Sequence, residues 1–215
     1  MKEREIIGLI VDSLHKKSRD VIVGAGEDDC AVLRYTKDEY LVITTDMLHE
    51  KADFPAGMMP EQMGWCCIAQ NLSDIASMGA TPLFLTVAIG LPEYNKNFIK
   101  KLVSGMGECA AKYHASIIGG DVDRHDELTL VATAIGKVKK KFIALRRGAK
   151  VGELLCVTGA LGGAAAAMKV IESGRRASKE ILNSLFRPEP RVDEGIALAQ
   201  TRAVTSMTDI SDGLA

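Results

Sequence analysis

The sequence predicts an α+β protein, in which a mixed sheet flanked by helices forms an N-terminal domain and an incomplete α/β C-terminal domain follows. Three observations lead to this prediction. Strand-like and helix-like segments alternate irregularly along the chain. The 215 residues exceed the length of a typical domain, which is about 150 residues. A basic and polar stretch over residues 137–150 divides the chain into predicted domains at 1–145 and 146–215.

The individual elements follow from periodicity and from the residues that begin or end helices. Charged and apolar residues alternate at helical spacing over residues 2–17, which predicts an amphipathic helix. Pro60 suits the first turn of a second helix and Gly79 its end, and the apolar residues between them predict that this helix is buried. Similar patterns predict strands at 41–43, 82–90, 115–119, 128–138 and 153–158, a strand and turn at 204–207, and helices at 94–113, 161–174 and 190–201.

The composition excludes several classes of protein. The chain has 27 Lys and Arg residues against 28 Asp and Glu residues, and its net charge of −1 argues against a dedicated nucleic-acid binder. It has no run of about 18 apolar residues and no secretory signal, so we expect neither a membrane span nor export. The five cysteines lack C-x-x-C spacing, which favours reduced thiols, a cytoplasmic location and no structural zinc site.

Acidic residues occur repeatedly at the ends of predicted elements or in apolar surroundings. Asp29 follows a Gly-x-Gly turn, Asp46 follows a predicted strand, and Asp74 lies within the buried helix. Further along the chain lie Asp121, after two glycines, and Asp209 and Asp212, on either side of Ser211. Clustered carboxylates repel one another unless they are neutralised, and Mg²⁺ prefers oxygen ligands. The pattern therefore suggests a magnesium site that would recruit substrate phosphates.

Each of these residues also has an ordinary structural explanation. The residues at 27–29 and 212–213 have the composition of solvated turns, and Asp46 would serve equally well as a helix cap. Asp74 shares a helical stripe with polar residues, which is also typical of a solvated face. Asp121 is harder to explain in this way, because the two glycines before it imply a close backbone approach. Arg146 is a candidate for phosphate binding, with an exposed surface position as an equal alternative.

Seven segments form an ordered set of motifs: Gly24-Ala-Gly-Glu-Asp-Asp-Cys-Ala-Val-Leu33, Ile43-Thr-Thr-Asp-Met47, Asn71-Leu-Ser-Asp-Ile-Ala-Ser-Met-Gly-Ala-Thr-Pro82, Ile118-Gly-Gly-Asp121, Arg146-Arg-Gly-Ala-Lys-Val-Gly152, Val157-Thr-Gly159 and Asp209-Ile-Ser-Asp-Gly213. Taken together and in this order, they resemble the thiamine-monophosphate kinases. The wider superfamily to which this pattern is similar also includes aminoimidazole ribonucleotide synthetase, selenophosphate synthetase and a hydrogenase maturation factor.

The resemblance implies a site and its partners. ATP and several Mg²⁺ ions would lie between the two domains, and the N-terminal sheet would pair with that of a second subunit in a homodimer. The residues that match the magnesium ligands are Asp29, Thr44, Thr45, Asp46, Asp74, Asp121, Asp209 and Asp212. Those that match the nucleotide contacts are Gly120, Asp121, Arg146 and Ser211. Where many of these kinases place a substrate-contacting histidine, this chain has Asp53, which becomes the candidate for substrate binding.

The resemblance also implies an activity, the Mg-assisted, in-line transfer of a phosphoryl group from ATP to thiamine monophosphate. A phosphate monoester has a second pKa of about 6 and is largely ionised at neutral pH, so the reaction needs no strong general base and we assign no catalytic residue. Two alternatives remain, namely another ATP-dependent enzyme of the superfamily and a nucleotide-binding fragment without turnover. Because no cysteine precedes Cys30, the selenophosphate synthetase-like alternative is disfavoured.

Overall fold

The centre of the fold is a mixed β-sheet. The computed structural model of the protein describes residues 2–14, 18–211 and 213. The strands in this part of the chain are β1 (Val21–Val23), β2 (Ala31–Arg34), β3 (Glu39–His49), β4 (Thr81–Leu91), β5 (Ser116–Arg124) and β6 (Thr129–Lys139). Their order in the sheet is β1-β2-β3-β6-β4-β5. Neighbouring strands are antiparallel except β4 and β5, which are parallel. The predicted mixed sheet is therefore confirmed.

Helices precede, interrupt and follow the strands. They are α1 (Glu3–Ser13), α2 (Glu50–Asp53), α3 (Pro60–Ser77), α4 (Lys96–Lys112), α5 (Gly163–Glu172), α6 (Lys179–Phe186) and α7 (Val192–Thr201). None of the helices in the described residues is long and apolar enough to cross a membrane.

Helix α3 covers one face of the sheet. It packs against β3 and β6, and Ile68, Leu72 and Ile75 are completely buried. Pro60 occupies its first turn, and Gly79, with a φ of 66°, follows its end. A glycine adopts this left-handed conformation at little cost because it has no side chain. The buried helix predicted between these two residues is confirmed.

Most of the other predicted elements are present, with boundaries shifted by a few residues. They correspond to β3, β4, β5 and β6 and to the helices α4, α5 and α7. The helix predicted at 2–17 is α1, and residues 15–17 of that prediction lie outside the described residues. The sequence does not predict β1, β2, α2 or α6, because these elements span only three to eight residues and show too little periodicity.

Two predicted strands are longer than expected, which moves polar residues from strand ends into strand interiors. The strand predicted at 41–43 extends over Glu39–His49, because β6 offers a pairing partner along its whole length. Asp46 therefore lies within β3. Strand β5 likewise continues past Asp121, which pairs with Ala88 in β4. The prediction that these two carboxylates follow the ends of strands is wrong.

The strands predicted at 153–158 and 204–207 are also wrong. Neither segment pairs with a strand in the described part of the chain, and a β-strand needs a partner for its backbone hydrogen bonds. Leu154 and Leu155 are instead 92% and 85% exposed. After β6, the described residues form three helices and no strand, so the α/β pattern expected for the C-terminal part is not found among them.

The segment after the predicted domain boundary packs against α3. The indole Nε1 of Trp65 donates a hydrogen bond to the carbonyl of Pro188 at 2.7 Å. Phe186 and Val192 belong to the same buried core as the residues of the sheet. The C-terminal segment is thereby held beside α3, and the division at residue 145 stays a prediction.

Candidate functional site

Four aspartates form an acidic cluster beside the sheet: Asp29, Asp46, Asp74 and Asp209. They come from the loop between β1 and β2, from β3, from α3 and from the segment after α7. Burial raises the pKa of both Asp74 and Asp209, and the negative charges of Asp29 and Asp46 raise both further. The fold thus brings together four of the carboxylates that the sequence predicts as magnesium ligands.

Thr44 connects strand β3 to the cluster. Its side chain faces α3, like those of the buried residues Val42 and Leu48 at alternate positions of the strand. The hydroxyl donates a hydrogen bond to Oδ2 of Asp74 at 2.5 Å and lies 3.3 Å from the carbonyl oxygen of Asp29. Thr44 therefore holds the Asp74 carboxyl group in a defined position beside the loop that carries Asp29.

The cluster carries more negative charge than its surroundings neutralise. Burial, followed by repulsion from Asp46, Asp209 and Asp29, raises the pKa of Asp74 to about 8, although the hydrogen bond from Thr44 opposes this shift. Burial and repulsion from Asp29 likewise raise the pKa of Asp209 to about 6, against a hydrogen bond with Ser73. At neutral pH the Asp74 carboxyl group therefore stays mostly protonated, whereas that of Asp209 is mostly ionised.

Asp29 has a deeply buried side chain, which is 3% exposed. Its Oδ1 accepts hydrogen bonds from the guanidinium of Arg146 and, at 3.2 Å, from the hydroxyl of Thr208. Its Oδ2 is buried and has no hydrogen-bond partner within the described residues. A buried polar atom without a partner is destabilising by about 1–3 kcal/mol. A cation bound at this oxygen would remove that cost.

Arg146 borders the cluster on the side of the C-terminal segment. Its backbone amide donates to the two carboxylate oxygens of Asp28 at 3.2 and 3.0 Å, and its carbonyl accepts a hydrogen bond from Ser206. The hydrogen bond and ion pair with Asp29 raise the pKa of the Arg146 guanidinium. Arg146 is therefore fixed by its backbone while its side chain supplies positive charge to the cluster.

The donor chemistry of the cluster fits Mg²⁺, which prefers oxygen ligands, and the orphaned oxygen of Asp29 marks a place for a cation. In residues 2–14, 18–211 and 213, however, no three His, Cys, Asp or Glu side chains converge closely enough to hold an ion. The cluster therefore has suitable oxygen ligands, but they do not surround a single point. The guanidinium of Arg146 supplies the positive charge beside Asp29.

Two predicted magnesium ligands lie away from the cluster. The hydroxyl of Thr45 is 2.9 Å from that of Thr133 on the opposite face of the sheet from Thr44. Asp121 is exposed on the edge strand β5 and is paired with Ala88, whose side chain is also exposed. The alternation of side chains along a strand therefore separates these two residues from the acidic cluster.

Gly120, Ser211 and Asp212 are the remaining residues predicted to contact the nucleotide or the metal. A side chain at Gly120 would place its Cβ 1.8 Å from the carbonyl oxygen of Val87, so glycine is required there for β4 and β5 to pair. Ser211 is exposed near the end of the chain, and Asp212 lies outside the described residues.

Asp53, the candidate for substrate binding, lies at the end of the short helix α2. Its carboxylate accepts a hydrogen bond from the backbone amide of His49 at 2.7 Å. The imidazole of His49 in turn lies 3.3 Å from Glu127. Asp53 therefore has a local structural role in closing the turn between β3 and α2.

Four residues around the cluster are not among the predicted ligands and contacts. Asp28, Ser73, Ser206 and Thr208 each bond to Arg146 or to an aspartate of the cluster. Asp28, Ser73 and Thr208 are adjacent in sequence to the predicted Asp29, Asp74 and Asp209. The sequence could have identified these three if the polar neighbours of each predicted aspartate had been counted as candidates too.

Three kinds of comparison, with a family, with similar sequences and with solved structures, relate the chain to known proteins. Residues 27–138 match the family described as AIR synthase related protein, N-terminal domain. A thiamine-monophosphate kinase of Methanospirillum hungatei is 43% identical over 188 residues, which cover 87% of this chain and 62% of the relative. One of Archaeoglobus fulgidus is 37% identical over 216 residues, which cover 100% of this chain and 70% of the relative.

A solved structure shares the fold. The structure of AaThiL complexed with AMPPCP and TMP matches with a TM-score of 0.86 and 25% sequence identity, covering 99% of this chain and 66% of that one. The chain thus spans between 62% and 70% of the length of the proteins to which it is similar.

Proposed function

Because the chain belongs to the thiamine-monophosphate kinase family, we propose that the protein transfers the terminal phosphoryl group of ATP to thiamine monophosphate. The products would be thiamine diphosphate and ADP. The observation that carries the proposal is the acidic cluster, which joins aspartates of four separate motifs beside Arg146. The complex of AaThiL with AMPPCP, an analogue of ATP, and TMP supports this pair of substrates.

Magnesium ions at the acidic cluster would neutralise negative charge on the reacting phosphates. The four aspartates of the cluster would hold them, with the hydroxyl of Thr44 as a further oxygen ligand. The predicted ligands Thr45, Asp121 and Asp212 rest on the family resemblance alone, because no described contact joins them to the cluster. The localisation proposed for the protein is the cytoplasm, in keeping with its reduced cysteines.

The other residues of the site would bind and orient the substrates. Arg146 is the proposed contact for a nucleotide phosphate, because a guanidinium binds phosphate through two parallel hydrogen bonds. Gly120 and Ser211 are the further nucleotide contacts that the family resemblance implies, and Asp53 is the candidate for substrate binding. Since the acceptor phosphate is already ionised, these residues need only hold the two substrates in line.

A product assay tests the proposed activity. Incubating the protein with ATP, Mg²⁺ and thiamine monophosphate should give thiamine diphosphate and ADP, resolved by anion-exchange chromatography. A parallel reaction without Mg²⁺ should give neither product, because the phosphate charges would then remain uncompensated.

Two other outcomes would contradict this activity. Turnover of an amide, carboxylate or selenide substrate, with no turnover of thiamine monophosphate, would indicate another ATP-dependent enzyme of the superfamily. Binding of ATP by calorimetry without turnover of any of these substrates would indicate a nucleotide-binding fragment.

We further infer that a second copy of the chain covers the face of the sheet opposite α3. Apolar side chains pair across the strands on this face: Met47 with Val131 and Phe84 with Ile135. Met47 and Phe84 are exposed in the single chain. An apolar sheet face normally packs against another layer, and a two-fold pairing of identical sheets would bury it.

Sedimentation equilibrium tests this assembly. The wild-type protein should have twice the chain mass of 23.1 kDa. Phe84→Asp, which puts a charge on the uncovered face, should shift the protein toward the single-chain mass. Tyr94→Asp is a matched control, since Tyr94 is exposed in the segment before α4. A single-chain mass for the wild-type protein would rule out the dimer.

A further inference from the structure

We propose that Arg146 is a displaceable counter-ion of the acidic cluster: it competes with a divalent cation for Asp29, and it moves to the nucleotide phosphates when the cation binds. The competition for Asp29 concerns this chain's own residues. The movement to the nucleotide rests on the proposed function.

The two partners of the ion pair differ in their freedom to move. The side chain of Asp29 is 3% exposed, whereas that of Arg146 is 53% exposed. Separating the pair by moving Asp29 would require repacking of the core, whereas Arg146 can turn toward solvent without disturbing its neighbours. Arg146 is therefore the partner that can leave.

Asp29 is left incompletely satisfied by this pairing. Arg146 and Thr208 both bond to Oδ1, while the buried Oδ2 has no hydrogen-bond partner in the described residues. A divalent cation at Oδ2 would satisfy the orphaned oxygen and would lie within a few ångströms of the guanidinium, since both would contact the same carboxylate. Like charges at such a separation in a poorly solvated site repel strongly, so the cation and the guanidinium oppose each other there.

The backbone of Arg146 keeps the displaced side chain near the site. Its amide donates to both carboxylate oxygens of Asp28, and Ser206 donates to its carbonyl. The amide of Met207 also donates to the carbonyl of the preceding residue, Leu145, at 3.0 Å. With the main chain held at these points, only the side chain needs to turn, and its planar fork of donors suits a phosphate.

The proposal predicts a change of sign in the coupling between Arg146 and the cation. Without nucleotide, the guanidinium and the cation compete for Asp29 and each weakens the binding of the other. With nucleotide, the guanidinium has an anionic partner of its own, so removing it should weaken the binding of the cation–nucleotide complex.

A titration with Mn²⁺ tests the competition in the absence of nucleotide. Binding is measured as the loss of the electron paramagnetic resonance signal of unbound Mn²⁺. Arg146→Gln should bind Mn²⁺ alone more than about fivefold more tightly than the wild-type protein, the lower end of typical coupling energies. Arg147→Gln removes a charge from the neighbouring exposed position and should leave the affinity unchanged. Arg146→Lys keeps a positive charge within reach of Asp29 and should bind Mn²⁺ less tightly than Arg146→Gln.

The same titration in the presence of AMPPCP tests the movement of Arg146 to the nucleotide. Here Arg146→Gln should bind the Mn²⁺–AMPPCP complex more weakly than the wild-type protein does. If Arg146 is only a structural ion pair, Arg146→Gln will lower the thermal unfolding midpoint and leave the Mn²⁺ affinity unchanged, which would overturn the proposal. The same holds if the wild-type protein and all variants fail to bind Mn²⁺. Tighter binding of Mn²⁺ alone by Arg146→Gln, together with no phosphorylation of thiamine monophosphate by the wild-type protein, would support the competition and contradict the proposed function.

Discussion

Replacing Asp74 with asparagine should weaken Mg²⁺-dependent binding of ATP by more than about tenfold without unfolding the protein. Asp74 is the carboxylate that receives the hydrogen bond from Thr44 and that is repelled by the three other aspartates of the cluster. Asparagine keeps the size of the side chain and an oxygen that can accept from Thr44. It removes the charge that would bind a cation.

Calorimetric titration of ATP with and without Mg²⁺ measures this effect. Asp12→Asn is a suitable control, because it removes a carboxylate from an exposed position in α1. The control should bind ATP as the wild-type protein does. Equal affinities for the wild-type protein and Asp74→Asn would show that Asp74 is not a ligand and that its carboxyl group only packs against β3.

The stability of the same variant provides a check that it is folded. The pKa of Asp74 is raised from an ordinary value of 3.8 to about 8, so between these values the folded state holds more protons than the unfolded chain. Stability of the cation-free protein therefore falls as the pH rises through this window. Asparagine lacks this dependence, so the variant should gain in unfolding temperature relative to the wild-type protein as the pH rises from about 4 to about 8.

Gly105→Ala should destabilise the protein by about 3 kcal/mol, the upper part of the range for overpacked cores. Helices α3 and α4 approach each other at two glycines. A Cβ at Gly105 would lie 1.8 Å from the carbonyl oxygen of Glu61, and one at Gly64 would lie 2.0 Å from that of Leu102. Because the obstructing atoms belong to the backbone, the clash is relieved only by separating the helices that cover the sheet.

Gly107→Ala is the matched control, since Gly107 lies on the same helix and a Cβ there would meet nothing within 4 Å. It should stabilise the protein by up to about 1 kcal/mol, because alanine is the better helix former. In urea denaturation, the midpoint concentration should therefore be lowest for Gly105→Ala, intermediate for the wild-type protein and highest for Gly107→Ala. Equal midpoints for wild type and Gly105→Ala would mean that the two helices are not in close contact.

Helix α3 and the chemical content of the site are predictable from local features of the sequence. Proline at the first turn, glycine after the end and a stripe of apolar residues act within the segment itself, so they need no distant partner. Residue type and the order of the motifs likewise identify the acidic residues. Asp29, Asp46, Asp74 and Asp209 come together as that pattern implies.

The face of the sheet to which a predicted ligand points is not predictable in this way. Thr44 and Thr45 are neighbours in a Thr-Thr-Asp motif, yet the first contacts Asp74 and the second contacts Thr133 on the other face. Side chains alternate along a strand, and the pairing of β3 with β6 fixes which of them turns inward.

Composition and local propensity by themselves determined the longer helices, the positions of the four longest strands and the residue types available for cation binding, because each depends on neighbours within a few positions. Contacts between distant residues decided the rest. The segment at 153–158 has the apolar composition of a strand but lacks a partner among the described residues, so it is not one. Arg146 and Asp29 lie 117 positions apart, and only the fold makes one the counter-ion of the other. Strand pairing and ion pairing both join segments that are remote in the chain, so their outcome is set by tertiary structure.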